Sequence, residues 1–133
     1  MIHTATVRVR YSETDAQGVV NNGTYLAYFE VGRVEWLRKA GLSYRKLEER
    51  GYGFVVVEAF VRYRKGARFD DELRVRTRLS ELERASLRFE YEVLRDGEAL
   101  ATGYTRHACV RLSSGRAARI PREVLEGLRP GAG

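Results

Sequence analysis

The residues most able to do chemistry lie in Tyr11-Ser12-Glu13-Thr14-Asp15-Ala16-Gln17-Gly18-Val19-Val20-Asn21-Asn22-Gly23-Thr24-Tyr25-Leu26. Asp15 sits in a polar loop just ahead of a long run with helical periodicity. Gly18 allows the backbone an unusual turn or a close approach to a ligand. The helix that follows opens with free N–H groups, which favour negative charge. A carboxylate beside such donors pairs a base or nucleophile with an oxyanion site. The same spacing also describes an aspartate that only caps a turn, and spacing alone does not separate the two. One compositional fact singles the segment out. Gln17, Asn21 and Asn22 are the only side-chain amides in the chain, and they fall within six consecutive residues.

Other reactive side chains read more simply. Glu13 could raise the pKa of Asp15 by like-charge repulsion, but as a loop residue it is expected to be solvated. Glu30 could line a pocket or pair with Arg33 on the helix surface. Cys109, the sole cysteine, lies in an alternating strand and reads as core, and His107 shares its face. One cysteine excludes an internal disulfide, and His3 and His107 alone leave no basis for a conventional zinc site within one subunit.

These residues need elements to hold them. Thr6–Tyr11 alternates as a half-buried strand, with Val7, Val9 and Tyr11 on one face. Ser12–Gly18 reads as loop. Residues 22–40 read as one long helix with a stripe of Leu26, Phe29, Arg33, Trp36, Leu37 and Ala40, which Arg33 interrupts and Tyr25 and Tyr28 widen, capped by Asn21 or Asn22 and stopped at Gly41. A short helix over Tyr44–Arg50 follows, with Ser43 as cap and Gly51 as stop. Strands are expected over Phe54–Arg64, Leu73–Leu79, Leu87–Val93 and Ala99–Leu112, with a hairpin turn at Asp96-Gly97. Pro121–Leu128 reads as a terminal helix. The lengths match: a helix over residues 22–40 is about 28 Å long, and a nine-residue strand is about 30 Å. One curved sheet can therefore wrap one helix, and its unpaired edge strands favour association into at least a dimer.

With 44% apolar and 32% charged residues, the 133-residue chain suits one folded domain rather than disorder. No apolar run reaches the length needed to span a bilayer, and Met1–Thr6 does not resemble a signal peptide, so a cytoplasmic location is expected. Of 24 basic residues, 21 are Arg, and the formal charge of +6 suits an anionic partner, either nucleic acid or a phosphorylated small molecule.

The pattern Asp15-x-x-Gly18-Val19-Val20-Asn21-Asn22-x-x-Tyr25, followed by Tyr28-Phe29-Glu30 and Arg33, resembles the signature of hot-dog-fold acyl-CoA thioesterases of the 4-hydroxybenzoyl-CoA thioesterase type. Ala67–Leu73 is similar to that family's turn between the second and third strands. The resemblance implies an α+β hot-dog fold over residues 1–133: a long central helix wrapped by a curved antiparallel sheet of five or six strands, assembled as a homodimer or homotetramer. It implies hydrolysis of an acyl-CoA without metal or other cofactor. Asp15 would be nucleophile or general base, the Asn22 backbone N–H would polarise the carbonyl, and Gly18 would make the turn that joins them. Asn21, Gly23 and Tyr25 are the adjoining substrate-binding candidates. Arg62, Lys65 and Arg68 are candidates for the CoA phosphates, although their segment also reads as a solvated strand face. Many relatives carry a histidine or aromatic residue where this chain has Asn21 and Asn22, so a histidine-assisted mechanism is not expected. The alternatives are an acyl-CoA binder that does not hydrolyse and a thioesterase directed to acyl carrier protein. A nucleic-acid-binding module is more remote, because basic residues spread over every strand and no recognised binding motif is present.

Overall fold

Alternation of apolar with charged residues dictates a sheet with one dry and one wet face. The computed structural model, which describes residues 1–129, has such a sheet. Among these residues five strands pair antiparallel: β1 (Ile2–Arg8), β2 (Tyr52–Tyr63), β3 (Glu72–Leu82), β4 (Ser86–Arg95) and β5 (Glu98–Arg111), in the spatial order β1-β3-β4-β5-β2. Three helices, α1 (Thr24–Lys39), α2 (Tyr44–Glu49) and α3 (Arg122–Leu128), complete an α+β fold. The long helix lies on the dry face, where Leu73, Val75, Leu87, Phe89, Tyr91 and Val93 are buried. On the wet face, arginines and glutamates of adjacent strands form rungs: Arg76–Glu92 at 3.1 Å, Arg78–Glu90 at 2.6 Å and Arg88–Glu81 at 3.8 Å. Much of the arginine excess is spent in this lattice.

The turns follow the local code. Asp96 (φ 50°) and Gly97 (φ 82°) join β4 to β5 in a two-residue hairpin that needs positive φ at both positions. Ser43 caps α2 by accepting the Lys46 N–H at 3.2 Å, and Gly41 and Gly51, both at φ 91°, follow the ends of α1 and α2.

Three expectations need correction. β1 is Ile2–Arg8 rather than Thr6–Tyr11. The chain leaves the sheet after Val9 and makes a 3₁₀ turn at Tyr11–Glu13, so Tyr11 is 76% exposed and packs edge-on against Phe69. The buried stripe of α1 is Tyr25, Tyr28, Phe29, Gly32, Trp36 and Leu37, while Leu26 is exposed. The stripe runs through Gly32 rather than Arg33 because the helix lies against the sheet there. A Cβ on Gly32 would stand 2.3 Å from Thr77 Oγ1 and 2.8 Å from Val75 Cγ1. Finally, the N-cap position of α1 is Gly23, and neither asparagine caps it.

Candidate active site

Residues 13–15, within the stretch Ser12–Gly18 read as loop, pair with residues 19–21 in a small antiparallel arm. Thr14 pairs with Val20. The Asn21 N–H donates to the Glu13 carbonyl at 2.8 Å, and the Asp15 N–H donates to the Val19 carbonyl at 2.9 Å. At the tip the Gly18 N–H donates to the Asp15 carbonyl at 2.9 Å. Gly18 closes this turn at φ 80°, a conformation that residues with a Cβ adopt only under strain. The Gln17 N–H donates to Asp15 Oδ1 at 2.9 Å. One carboxylate oxygen is thus held in place, and the other has no partner among the described residues. Asp15 is exposed.

Glu13 anchors the arm and is not a solvated loop residue. Its carboxylate accepts the Arg10 N–H at 2.8 Å and the Tyr28 hydroxyl at 2.9 Å, with the Arg10 guanidinium at 3.3 Å. Burial pushes its pKa up, but these donors together hold it below the usual carboxylate value. Burial and the Glu13 carboxylate together push the Tyr28 phenol far above its ordinary pKa.

On its other side the arm is tied to the turn after β2. The Val20 N–H donates to the Ala67 carbonyl at 2.8 Å, and the Ala67 N–H donates to the Tyr25 hydroxyl at 3.3 Å. The Tyr63 hydroxyl donates to the Asn22 carbonyl at 2.9 Å, and the Tyr25 and Tyr63 rings meet edge to face. Tyr25 is only 2% exposed, so it braces this junction. Helix α1 opens with a tight turn. Thr24, Tyr25 and Leu26 donate to the carbonyls of Asn21, Asn22 and Gly23 at 3.0, 3.4 and 3.2 Å. The Asn21 side chain accepts the Gly23 N–H at 3.0 Å instead of capping the helix. The Asn22 N–H donates to no group among the described residues and is available to an oxyanion.

The three predicted cations separate. Arg68 lies over the tip of the arm, where a Cβ on Gly18 would be 3.4 Å from its Nη1. Lys65 pairs with Glu98 at 2.7 Å. Arg62 is exposed and sits 6.0 Å from the Phe60 ring centre. Glu30 and Arg33 form no ion pair with each other. They instead line a cavity of about 370 Å³ with Tyr44, Phe54, Phe89 and His107. Behind it runs a buried hydrogen-bonded chain that sequence reading missed: the Tyr91 hydroxyl meets Thr105 Oγ1 at 2.5 Å, which meets His107 Nε2 at 2.7 Å. Its signal was Thr105-x-His107 at two inward strand positions where apolar residues are the rule. Burial first, and the charge of Arg33 second, push the His107 pKa down to about 4. Cys109 is buried as expected, and burial raises its thiol pKa.

A carboxylate with one fixed and one open oxygen, on an arm leading straight to an unpartnered N–H, is equipped for attack on an electrophilic carbonyl. Relatives point to thioester hydrolysis. Residues 9–128 match the thioesterase-like superfamily, and the chain belongs to this family of hot-dog thioester hydrolases. It is 38% identical over 119 residues to the acyl-CoA thioesterase YbgC of Haemophilus influenzae, covering 89% of this chain and 88% of that one. Among solved structures, a Thermus thermophilus protein aligns with a TM-score of 0.91 at 45% identity, covering 96% of this chain and 95% of the other. The DHNA-CoA thioesterase of Staphylococcus aureus aligns with a TM-score of 0.88 at 30% identity, covering 91% and 82%.

Proposed function

We propose that the protein hydrolyses acyl-CoA thioesters to a free acid and coenzyme A. The observation that carries this reading is the arm itself. It holds the Asp15 carboxylate by one oxygen and runs within seven residues into the free N–H of Asn22. The names of the H. influenzae and S. aureus relatives support a CoA thioester as substrate, and the motif through Asp15, Gly18 and Asn22 resembles the 4-hydroxybenzoyl-CoA type within the family.

In this reading the Asn22 N–H donates a hydrogen bond to the thioester oxygen as negative charge develops there. The free oxygen of Asp15 either adds to the carbonyl carbon or takes a proton from a water that adds there. On the first route the carbon–sulfur bond breaks, the CoA thiolate leaves, and water then cleaves the resulting anhydride and restores Asp15. On the second, water adds directly and the thiolate leaves with the proton. An oxyanion donor is worth about 10² to 10³ in rate. Gly18 makes the turn possible, Asn21 and Gly23 shape the helix opening, Tyr25 braces it, and Arg68 meets the substrate above the tip.

The free edge of β2 extends the proposal to assembly. β2 ends the sheet, and Val55, Val56, Val57 and Phe60 along it are exposed. Two copies pairing through this edge would cover them. The test of the chemistry is thiol release from a panel of acyl-CoAs. Activity is expected on at least one, with a loss of about 10³-fold or more in Asp15→Asn while the circular dichroism spectrum is unchanged. Full activity in that variant would overturn the role of Asp15, and inactivity of the wild-type protein on every thioester would overturn the function.

A further inference from the structure

The cavity in front of His107 is not a plain apolar void. Leu37, Phe54, Leu87 and Phe89 give it apolar walls, and its volume of about 370 Å³ is that of a ligand pocket. Two polar groups interrupt the lining. His107 is 3% exposed, and its Nδ1 has no hydrogen-bond partner among the described residues. That nitrogen is not sealed off as Thr77 Oγ1 and Arg88 Nε are, so it opens to the cavity that His107 lines. Arg33 is half-buried and forms no ion pair among the described residues. Its guanidinium lies near both ends of the buried chain behind the cavity. It adds to the downward push of burial on the His107 pKa, and with Thr105 it opposes the rise that burial causes at Tyr91.

Arg33 sets the direction of that chain. A guanidinium only donates, so the Tyr91 oxygen turns its lone pair to Arg33 and its hydrogen to Thr105 Oγ1. Thr105 then donates to His107 Nε2, and neutral His107 keeps its hydrogen on Nδ1. The inner end of the cavity therefore offers donors alone, the Nδ1–H and the guanidinium. Glu30 and Glu48 also line the cavity, but both are exposed. Water screens them at the mouth, while the half-buried cation sets the field within. An apolar ligand end would leave the inner donors unpaired at a cost, and a carboxylate satisfies them.

We infer that the cavity holds the far end of the acyl group and that this end is a carboxylate, so the substrates are CoA monothioesters of dicarboxylic acids. The inference rests on the thioesterase reading. Leu26 and Glu30, both exposed, follow Asn22 at four-residue steps on one side of α1 and lead from the oxyanion donor to the cavity mouth. From Asn22 to Arg33 is about 16 Å along a helix. The Arg33 side chain leans back towards the helix start, so an acyl chain of about ten carbons spans the gap at the roughly 1.2 Å per bond of an extended chain.

Binding is tested apart from turnover. Decanedioate, titrated calorimetrically into the full chain, should bind, and its affinity should fall about tenfold or more in Arg33→Met. His107 is one of two histidines, so a His3→Gln variant assigns its ring resonances. Decanedioate should shift them and 1,10-decanediol should not. This readout uses the unaltered cavity and stands even if Arg33→Met fails to fold. No binding, unchanged affinity in Arg33→Met, unmoved His107 resonances or an equal shift with the diol overturns the assignment, and none of these depends on hydrolysis. For turnover, matched pairs of ω-carboxyacyl-CoA and alkanoyl-CoA of about four to twelve carbons are compared by thiol release. The kcat/KM of the wild type should favour the ω-carboxy member by about tenfold or more near ten carbons, and Arg33→Met should bring that ratio close to one. No ω-carboxy preference at any length in an active enzyme overturns the inference and leaves the thioesterase reading standing, and a preference confined to the shortest pairs overturns the path along α1. Inactivity on every pair overturns the thioesterase reading itself.

Discussion

Glu13 and Asp15 are two residues apart, yet one is saturated with donors and the other is left open. Glu13 takes the Arg10 N–H, the Arg10 guanidinium and the Tyr28 hydroxyl, so its oxygens are committed to holding the arm on α1. Asp15 keeps one oxygen without a partner among the described residues, the other being held by the Gln17 N–H. His107 presents a different kind of constraint. It is buried beside Arg33, in a cavity that Glu30 and Glu48 also line, and it stays neutral at pH 7 with a pKa near 4. Unfolded, it would take a proton at the ordinary value of 6.5. The unfolded state therefore binds more protons between these values, and stability must rise with pH across that window and fall as pH drops from 6.5 towards 4. A shift of this size corresponds to about 3 kcal/mol. Urea unfolding at pH 7 and pH 4.5 should show this loss in the wild type and a much smaller one in His107→Gln. Equal losses in both would show that His107 does not carry the acid sensitivity.

The long helix depends on how closely it lies against β3. Gly32 makes that approach, and Thr77 opposite it carries a buried hydroxyl without a hydrogen-bond partner among the described residues. Added volume at this contact forces either helix or strand to shift. Gly32→Ala should destabilise by about 1–3 kcal/mol despite the higher helix propensity of alanine. Thr77→Ala removes the nearest clashing atom and an unsatisfied hydroxyl, so the same glycine change should cost clearly less in that background. Chemical denaturation of the four proteins of this cycle measures the coupling, and strictly additive effects would exclude the contact as the cause.

The proposed assembly rests on β2. A twelve-residue edge strand carrying exposed valines and a phenylalanine is a pairing surface unless something covers it. The wild-type chain should sediment as a dimer or larger, and Val55→Lys/Val57→Lys should shift it to monomer with the fold retained. A monomeric wild type would remove β2 pairing.

Much of this was legible before any coordinates. Period-two alternation in β3 and β4, the Asp96-Gly97 turn and the Ser43 cap are local physics, and they reappeared in place. The segment around Asp15 could be singled out for the same reason, because a polar motif next to a helix start is a local pattern. What could not be read locally was set by contacts distant in sequence. Tyr63 and Ala67 tie down residues 20–25, which makes an ordered arm from an apparent loop and leaves the cap position to Gly23. Thr77 and Val75 turn the buried stripe of α1 to Gly32. Arg33, Tyr91, Thr105 and His107 likewise come together only when α1 packs onto β4 and β5. Sequence pattern specifies which face of an element is apolar, but side chains converge on a site only after those faces have packed.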